Sequence, residues 1–166
     1  MEGKNLERLS RLLNDEITIF QELLKIEKLK NAHIVNQDID DIKKLTENEE
    51  MFLDQVAKKE KERETIAEKL FQKYRIKSHR VLSALLEEIP EEENEIKNMI
   101  KKQKKELVRN IKDLKKINAI NSRLLMDSIK FFNQAAHSLQ NVEAITYSNG
   151  KNKKNYNQAR IIDRQV

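Results

Sequence analysis

Apolar residues recur at helical spacing along nearly the whole chain. Leu6, Leu9, Leu13, Ile17, Phe20 and Leu24 stand 3, 4, 4, 3 and 4 residues apart, and Leu12, Ile19, Leu23 and Ile26 widen the stripe. Such spacing predicts a first helix with one broad buried face, wider than a two-stranded coiled-coil seam. The stripe fades through NAHIVNQD, where Asn36 suits the cap of a second helix. That helix carries Ile39, Ile42, Leu45, Phe52, Leu53, Val56, Ile66, Ala67, Leu70 and Tyr74. Its middle, AKKEKERE, takes the stripe through Glu60 and Arg63. It reads either as a solvated stretch or as a polar layer inside a bundle.

After RIKSH comes a short amphipathic piece, VLSALLEEI, ended by Pro90. Glu91, Glu92, Glu93 and Glu95 then favour the positive end of a last helix. This helix runs from Ile96 through Ile100 and Gln103. From Leu107 its stripe alternates steps of 4 and 3 through Ile111, Leu114, Asn118, Asn121, Leu125, Ser128, Phe132, Ala135, Leu139 and Val142. About fifty residues of helix span roughly 75 Å. Lys101, Lys102, Lys104, Lys105, Lys112, Lys115 and Lys116 fall off the stripe and read as a solvated face.

Two amides on a packing face need explaining, because asparagine is a mediocre helix former and costly to bury without partners. Antiparallel return of the last helix against the second, about the 75–91 connection, sets Asn118 and Asn121 level with Glu60 and Arg63. The expectation is a polar layer of these four residues that fixes helix register. The bland alternative is that the amides are exposed.

The last helix also has more apolar residues than one seam uses. Leu125, Phe132, Leu139 and Val142 belong to the stripe, while Leu124, Phe131 and Ile129 are displaced around the helix. Either this helix is packed on two sides, or part of the surface is an open groove for a partner helix.

Composition narrows the fold. In 166 residues there are two Gly, one Pro, no Cys and no Trp; 37% are charged and 5% aromatic. That is the composition of long helices, and the periodicity of the apolar residues argues against disorder over most of the chain. The expected fold is all-α: an elongated antiparallel three-helix bundle with long helices, a short helix before the last one, and a flexible C-terminal tail. The bundle is placed at residues 1–146 and the tail at 147–166, where periodicity stops and only Ile161 and Ile162 offer apolar anchors. The tail holds +4 of the net charge of +5, leaving about +1 for residues 1–146. A charge-balanced body with a short basic tail is not the footprint of a dedicated nucleic-acid binder. No apolar run approaches the ~20 residues of a membrane span, and nothing resembles a signal peptide. Lack of cysteine fits the cytoplasm.

Catalytic chemistry is missing from the pattern. His33, His79 and His137 lie in different segments, away from any His or carboxylate set at metal-ligand spacing. Two distant glycines make neither a P-loop nor a dinucleotide fingerprint. Glu87, Glu88, Glu91, Glu92 and Glu93 mark a helix boundary, not an acid–base pair in a pocket. The reading is no enzyme, no metal and no cofactor.

Four stretches, taken in order, resemble the FlgN family of bacterial flagellar export chaperones. They are EKLKNAHIVNQDIDDI; VAKKEKERE, with Val56, Glu60 and Arg63; VLSALLEEIPEEENEI; and LKKINAINSRLLMDSIKFFNQAAHSL followed by TYSNG. The last is similar to the family's Leu-x-x-x-Asn-x-x-Asn-x-x-Leu-Leu helix and its Thr-Tyr-x-x-x-Gly exit. Ala119 and Ile120 depart from the usual neighbourhood of the two Asn. The resemblance covers almost the whole chain. It implies a cytoplasmic chaperone that binds C-terminal segments of hook-associated junction proteins (FlgK and FlgL type), prevents premature assembly and delivers them to the flagellar export apparatus. The expected client-binding residues are Leu124, Leu125, Ile129, Phe131, Phe132, Leu139 and Val142. The resemblance also makes Tyr147 an expected contact with the export gate. No nucleic acid and no membrane insertion are expected. The alternative is a coiled-coil scaffold or tether without an export client.

Overall fold

The computed structural model describes residues 3–77 and 81–149, with side chains described for 4–77 and 81–138. Among the described residues every regular element is helical. The order is α1 (Gly3–Asn36), α2 (Ile39–Lys73), α3 (Leu82–Glu88), a 3-10 turn (Glu91–Glu93) and α4 (Asn94–Asn149). The chain divides into two compact units, Met1–Leu125 and Met126–Val166. The tail is expected from residue 147, but α4 continues through Asn149, and the rest of that expected tail lies outside the described residues.

In the first unit α1 is the element with most to bury. Its broad stripe places Leu6, Leu9, Leu12, Leu13 and Ile17 in one core with Ile66, Leu70 and Phe71 of α2, Leu85 and Leu86 of α3, and Ile100 and Leu107 of α4. A smaller cluster of Ile19, Leu23 and Val56 continues along α1, flanked by Phe20, Phe52 and Leu114. α2 returns antiparallel to α1, since Asp15 pairs with Lys59 and Lys30 with Glu49. The first part of α4 runs parallel to α1, since Ser10 Oγ donates to Gln103 Oε1 and Asn121 bonds Glu27. α3 and the residue that follows it pack on the larger core, with Leu85 and Ile89 buried.

α1 and α2 both end without glycine. At the end of α1, Gln37 has φ 62°, its N–H reaches Ile34 O at 3.2 Å, and Asp38 N–H reaches His33 O at 2.9 Å. At the end of α2, Arg75 has φ 58°, its N–H reaches Gln72 O at 3.2 Å, and Ile76 N–H reaches Phe71 O at 2.9 Å. Each pair is a Schellman stop, in which one left-handed residue satisfies two orphan carbonyls. At the second stop the usual apolar contact is present, because Ile76 packs on the core that holds Phe71. The first break therefore comes at Gln37. Asn36 is the last residue of α1, and Asp38 is the N-cap of α2. The sequence expectation of a cap at Asn36 is corrected accordingly.

A side chain at positive φ crowds the following carbonyl, at a cost of order 1 kcal/mol. Gln37→Gly and Arg75→Gly should each raise stability by about 0.5–1 kcal/mol, because relief of that crowding is partly offset by the freer unfolded chain. Urea unfolding monitored by helix content measures it; a loss of stability at both sites would contradict the assigned stops.

Candidate functional site

Two polar clusters interrupt the apolar face of α1, and both centre on a buried glutamate. Glu27 is 0% exposed. Its Oε1 accepts from Lys30 Nζ at 2.8 Å, and its Oε2 accepts from Asn121 Nδ2 at 2.7 Å. Asn121 Nδ2 also reaches Glu27 O at 2.8 Å, and Asn121 Oδ1 accepts from Asn31 Nδ2 at 2.8 Å. Lys30 Nζ extends the network to Glu49 Oε2 of α2 at 2.7 Å. One layer thus ties α1, α2 and α4 together, with charge-assisted bonds to both oxygens of the buried carboxylate.

Eleven residues earlier on α1, about 16 Å along its axis, Glu16 makes the second cluster. Its side chain is 1% exposed, and Oε1 accepts from Arg63 Nε at 2.8 Å. Burial pushes the Glu16 carboxyl above its ordinary value, and the hydrogen bond and charge of Arg63 only partly oppose that. A carboxyl raised on folding favours the folded state below its ordinary value of 4.5, and that gain is lost as pH rises through the folded value. At neutral pH the Glu16–Arg63 pair therefore ties α1 to α2 against the cost of burying the carboxylate. Lys30 behaves differently. Burial alone would lower its pKa, but the hydrogen bonds and charges of Glu27 and Glu49 outweigh that and hold it above the ordinary lysine value.

In the second unit, the part of α4 that follows residue 125 exposes large apolar side chains. Met126 and Ile129 are each 59% exposed, Phe131 64% and Phe132 52%. The two phenylalanine rings meet edge to face with centroids 6.0 Å apart. Among the described residues no helix is long and apolar enough to cross a membrane, and no group of three or more His, Asp or Glu is placed to hold a metal.

Residues 1–155 match the family model described as FlgN protein. The chain belongs to the FlgN family. No curated protein and no solved structure matches it. FlgN proteins are flagellar export chaperones, so a helical chaperone of flagellum biogenesis is the general frame for both features of this FlgN chain.

The structure does not assemble Glu60, Arg63, Asn118 and Asn121 into one layer. Asn121 is buried against Glu27 and Asn31, whereas Arg63 pairs with Glu16. Glu60 is mostly exposed and only approaches Arg63, at 3.7 Å. Asn118 is exposed and accepts a long bond from Ser122 Oγ at 3.4 Å. Two causes account for this. Along α4 the row of least exposure runs Leu107, Asn110, Leu114, Ile117, Asn121, so Asn118 sits one position off it. The vertical match also differs: Asn121 lies 27 residues beyond the start of α4 and Glu49 lies 24 residues before the end of α2, which puts those two level instead. The AKKEKERE stretch is neither wholly solvated nor internal, since Lys59 and Arg63 reach across to Asp15 and Glu16.

Of the residues expected to bind a client, Ile129, Phe131 and Phe132 are exposed, Leu125 is at the margin at 36%, and Leu124 is half-buried. Leu125 and Phe132 were expected on the intramolecular stripe and are not in either core cluster. The side chains of Leu139, Val142 and Tyr147 lie outside the described residues. Sequence reasoning missed Glu16 and Glu27. The signal was there: Leu9, Leu13, Glu16, Phe20, Leu23 and Glu27 follow steps of 4, 3, 4, 3 and 4, so both carboxylates occupy seam positions. It also missed Asn110, which is buried with no partner for Nδ2.

Removing Asn121 strips a donor from an enclosed carboxylate, a loss usually worth about 3 kcal/mol or more. Asn121→Ala should therefore destabilise by about that amount in urea, whereas Asn118→Ala should change stability by less than about 0.5 kcal/mol. Equal effects would refute the separation of the two amides.

A pH titration tests Lys30. Folded Lys30 holds its proton more tightly than the unfolded chain does, so its contribution is complete below the ordinary value of 10.5 and declines as pH rises through the higher folded value. Wild-type stability should fall more steeply than that of Lys30→Met on the alkaline side of that ordinary value. Parallel curves would contradict the assignment.

Proposed function

We propose that this chain is a cytoplasmic export chaperone that holds the C-terminal segments of hook-associated junction proteins and delivers them to the flagellar secretion gate. In this reading α1, α2 and the first part of α4 serve as a three-helix bundle that displays the binding surface. The single observation that carries it is the run of exposed Met126, Ile129, Phe131 and Phe132. Met126, Ile129 and Phe132 recur every three residues and share a face about 120° wide, while Phe131 lies about 100° beyond Phe132 around the helix. Large apolar side chains grouped on a helix face mark a partner site and suit an amphipathic segment that orders as it binds. Ordering on binding sets part of the contact energy against lost entropy, which keeps affinity moderate and release easy. Holding the client segment in this way also keeps its own apolar face from pairing with other subunits. The extension of this surface to Leu139 and Val142, which rests on their helical spacing in the sequence, and the gate contact at Tyr147, which rests on the family resemblance, belong to the same proposal.

Ile129→Glu combined with Phe132→Glu should leave helix content and cooperative unfolding intact, because both side chains are already more than half exposed. Titration calorimetry with the C-terminal segment of a cognate junction protein should then show affinity reduced by about 100-fold or more, the loss expected when two apolar anchors are replaced by charges. Unchanged affinity in the folded variant would place the client elsewhere. Unfolding of the variant would make these residues core.

A further inference from the structure

We propose that the outer face of α4 in the first unit docks the protein on an anionic phospholipid bilayer. Lys101, Lys102, Lys105, Arg109, Lys112 and Lys116 are all exposed. At 100° per residue they fall within an arc of roughly 100° on the helix surface, along about 22 Å of axis. No carboxylate lies inside that arc; Glu106 and Asp113 sit between it and the core-facing Leu107 and Leu114. Of the six, Arg109 has a carboxylate within 4 Å, Asp113 at 3.8 Å, while the five lysines have no ion pair among the described residues.

An ordinary solvated helix face mixes signs, so that Glu and Lys four apart support each other. Here Lys101 and Lys105, Lys105 and Arg109, and Lys112 and Lys116 are like charges four apart, an arrangement that weakens the helix. Only Lys102 and Arg109 have a carboxylate four residues on, Glu106 and Asp113, so most of the stripe's charge is left for an anionic partner. Its chemistry favours a lipid surface over the other polyanions. Five of the six cations are lysine, a compact hydrated point charge, and not the planar fork suited to bidentate carboxylate recognition. Single-stranded nucleic acid is usually held on aromatic platforms, and residues 94–130 contain no Phe, Tyr or Trp. A straight, one-sided row of four to eight cations on an amphipathic helix fits a flat array of anionic headgroups. Val108, 58% exposed at the edge of the stripe, adds a shallow apolar contact. This is adsorption at the headgroup level and needs no spanning segment.

The test is co-sedimentation of the full chain with vesicles of phosphatidylcholine containing about 30 mol% phosphatidylglycerol, beside vesicles of phosphatidylcholine alone. Binding should require the anionic lipid and disappear by about 0.5 M salt. Each cation near such a surface strengthens binding by about fivefold, so Lys105→Gln/Arg109→Gln/Lys112→Gln should weaken it by about 100-fold with helix content unchanged. The tail variant Lys151→Gln/Lys153→Gln/Lys154→Gln should bind as wild type. Equal binding to neutral vesicles, an unaffected stripe variant, or loss of binding in the tail variant would each overturn the proposal. So would tighter binding to polyuridylate or poly-L-glutamate than to the anionic vesicles at the same salt, which would give the face to nucleic acid or to an acidic protein.

Discussion

Glu27 is enclosed on α1, so both oxygens of its carboxylate must find donors inside the protein. Lys30 serves one oxygen and Asn121 the other, and Lys30 is itself held by Glu49. An ionised group removed from water is tolerated only when its partners are placed with good geometry. A slide of α4 by one turn, about 5.4 Å, would withdraw Asn121 from both the carboxylate and the Glu27 carbonyl. Apolar side chains alone do not impose such a penalty, because leucine seams at heptad spacing accept several registers. The polar layer is what makes one alignment of α1, α2 and α4 the stable one in the first unit.

That alignment bears on function through α4. Up to Asn121 its packing face is committed to α1 and α2, through Leu107, Leu114 and the amide itself. From Met126 to Phe132 the same helix carries large apolar side chains that are more than half exposed. In the proposed reading those exposed side chains are the surface that captures a client.

Much of this was legible in the chain. Four helices, their order and the polarity of α2's middle follow from periodicity, because almost no glycine or proline interrupts it. Helix ends were harder, since Gln37 and Arg75 take left-handed conformations that are usually marked by glycine. The burial of Asn121 could be anticipated from its place on the stripe, but its partners could not. Reading α1 through Leu13, Ile17, Phe20 and Leu24 hid the parallel row that contains Glu16 and Glu27. On a helix buried over so wide an arc, two overlapping heptad rows explain the apolar residues equally well, and only packing against α2 and α4 shows which row contains the charged positions. The same ambiguity misplaced Asn118, which shares a plausible row with Leu114 and Asn121 but sits beside the buried one.

The central claim is that the register-fixed first unit leaves the following stretch of α4 free to receive a client. Amide hydrogen exchange, with and without the C-terminal segment of a junction protein, tests it most directly. Exchange reports the local opening of each backbone segment, so ordering of a partner on a helix face appears as slowed exchange beneath it. The account predicts new protection in residues 126–138 on client binding, with α1 and α2 already protected and unchanged. New protection confined to α1 and α2, with residues 126–138 unaffected, would contradict it.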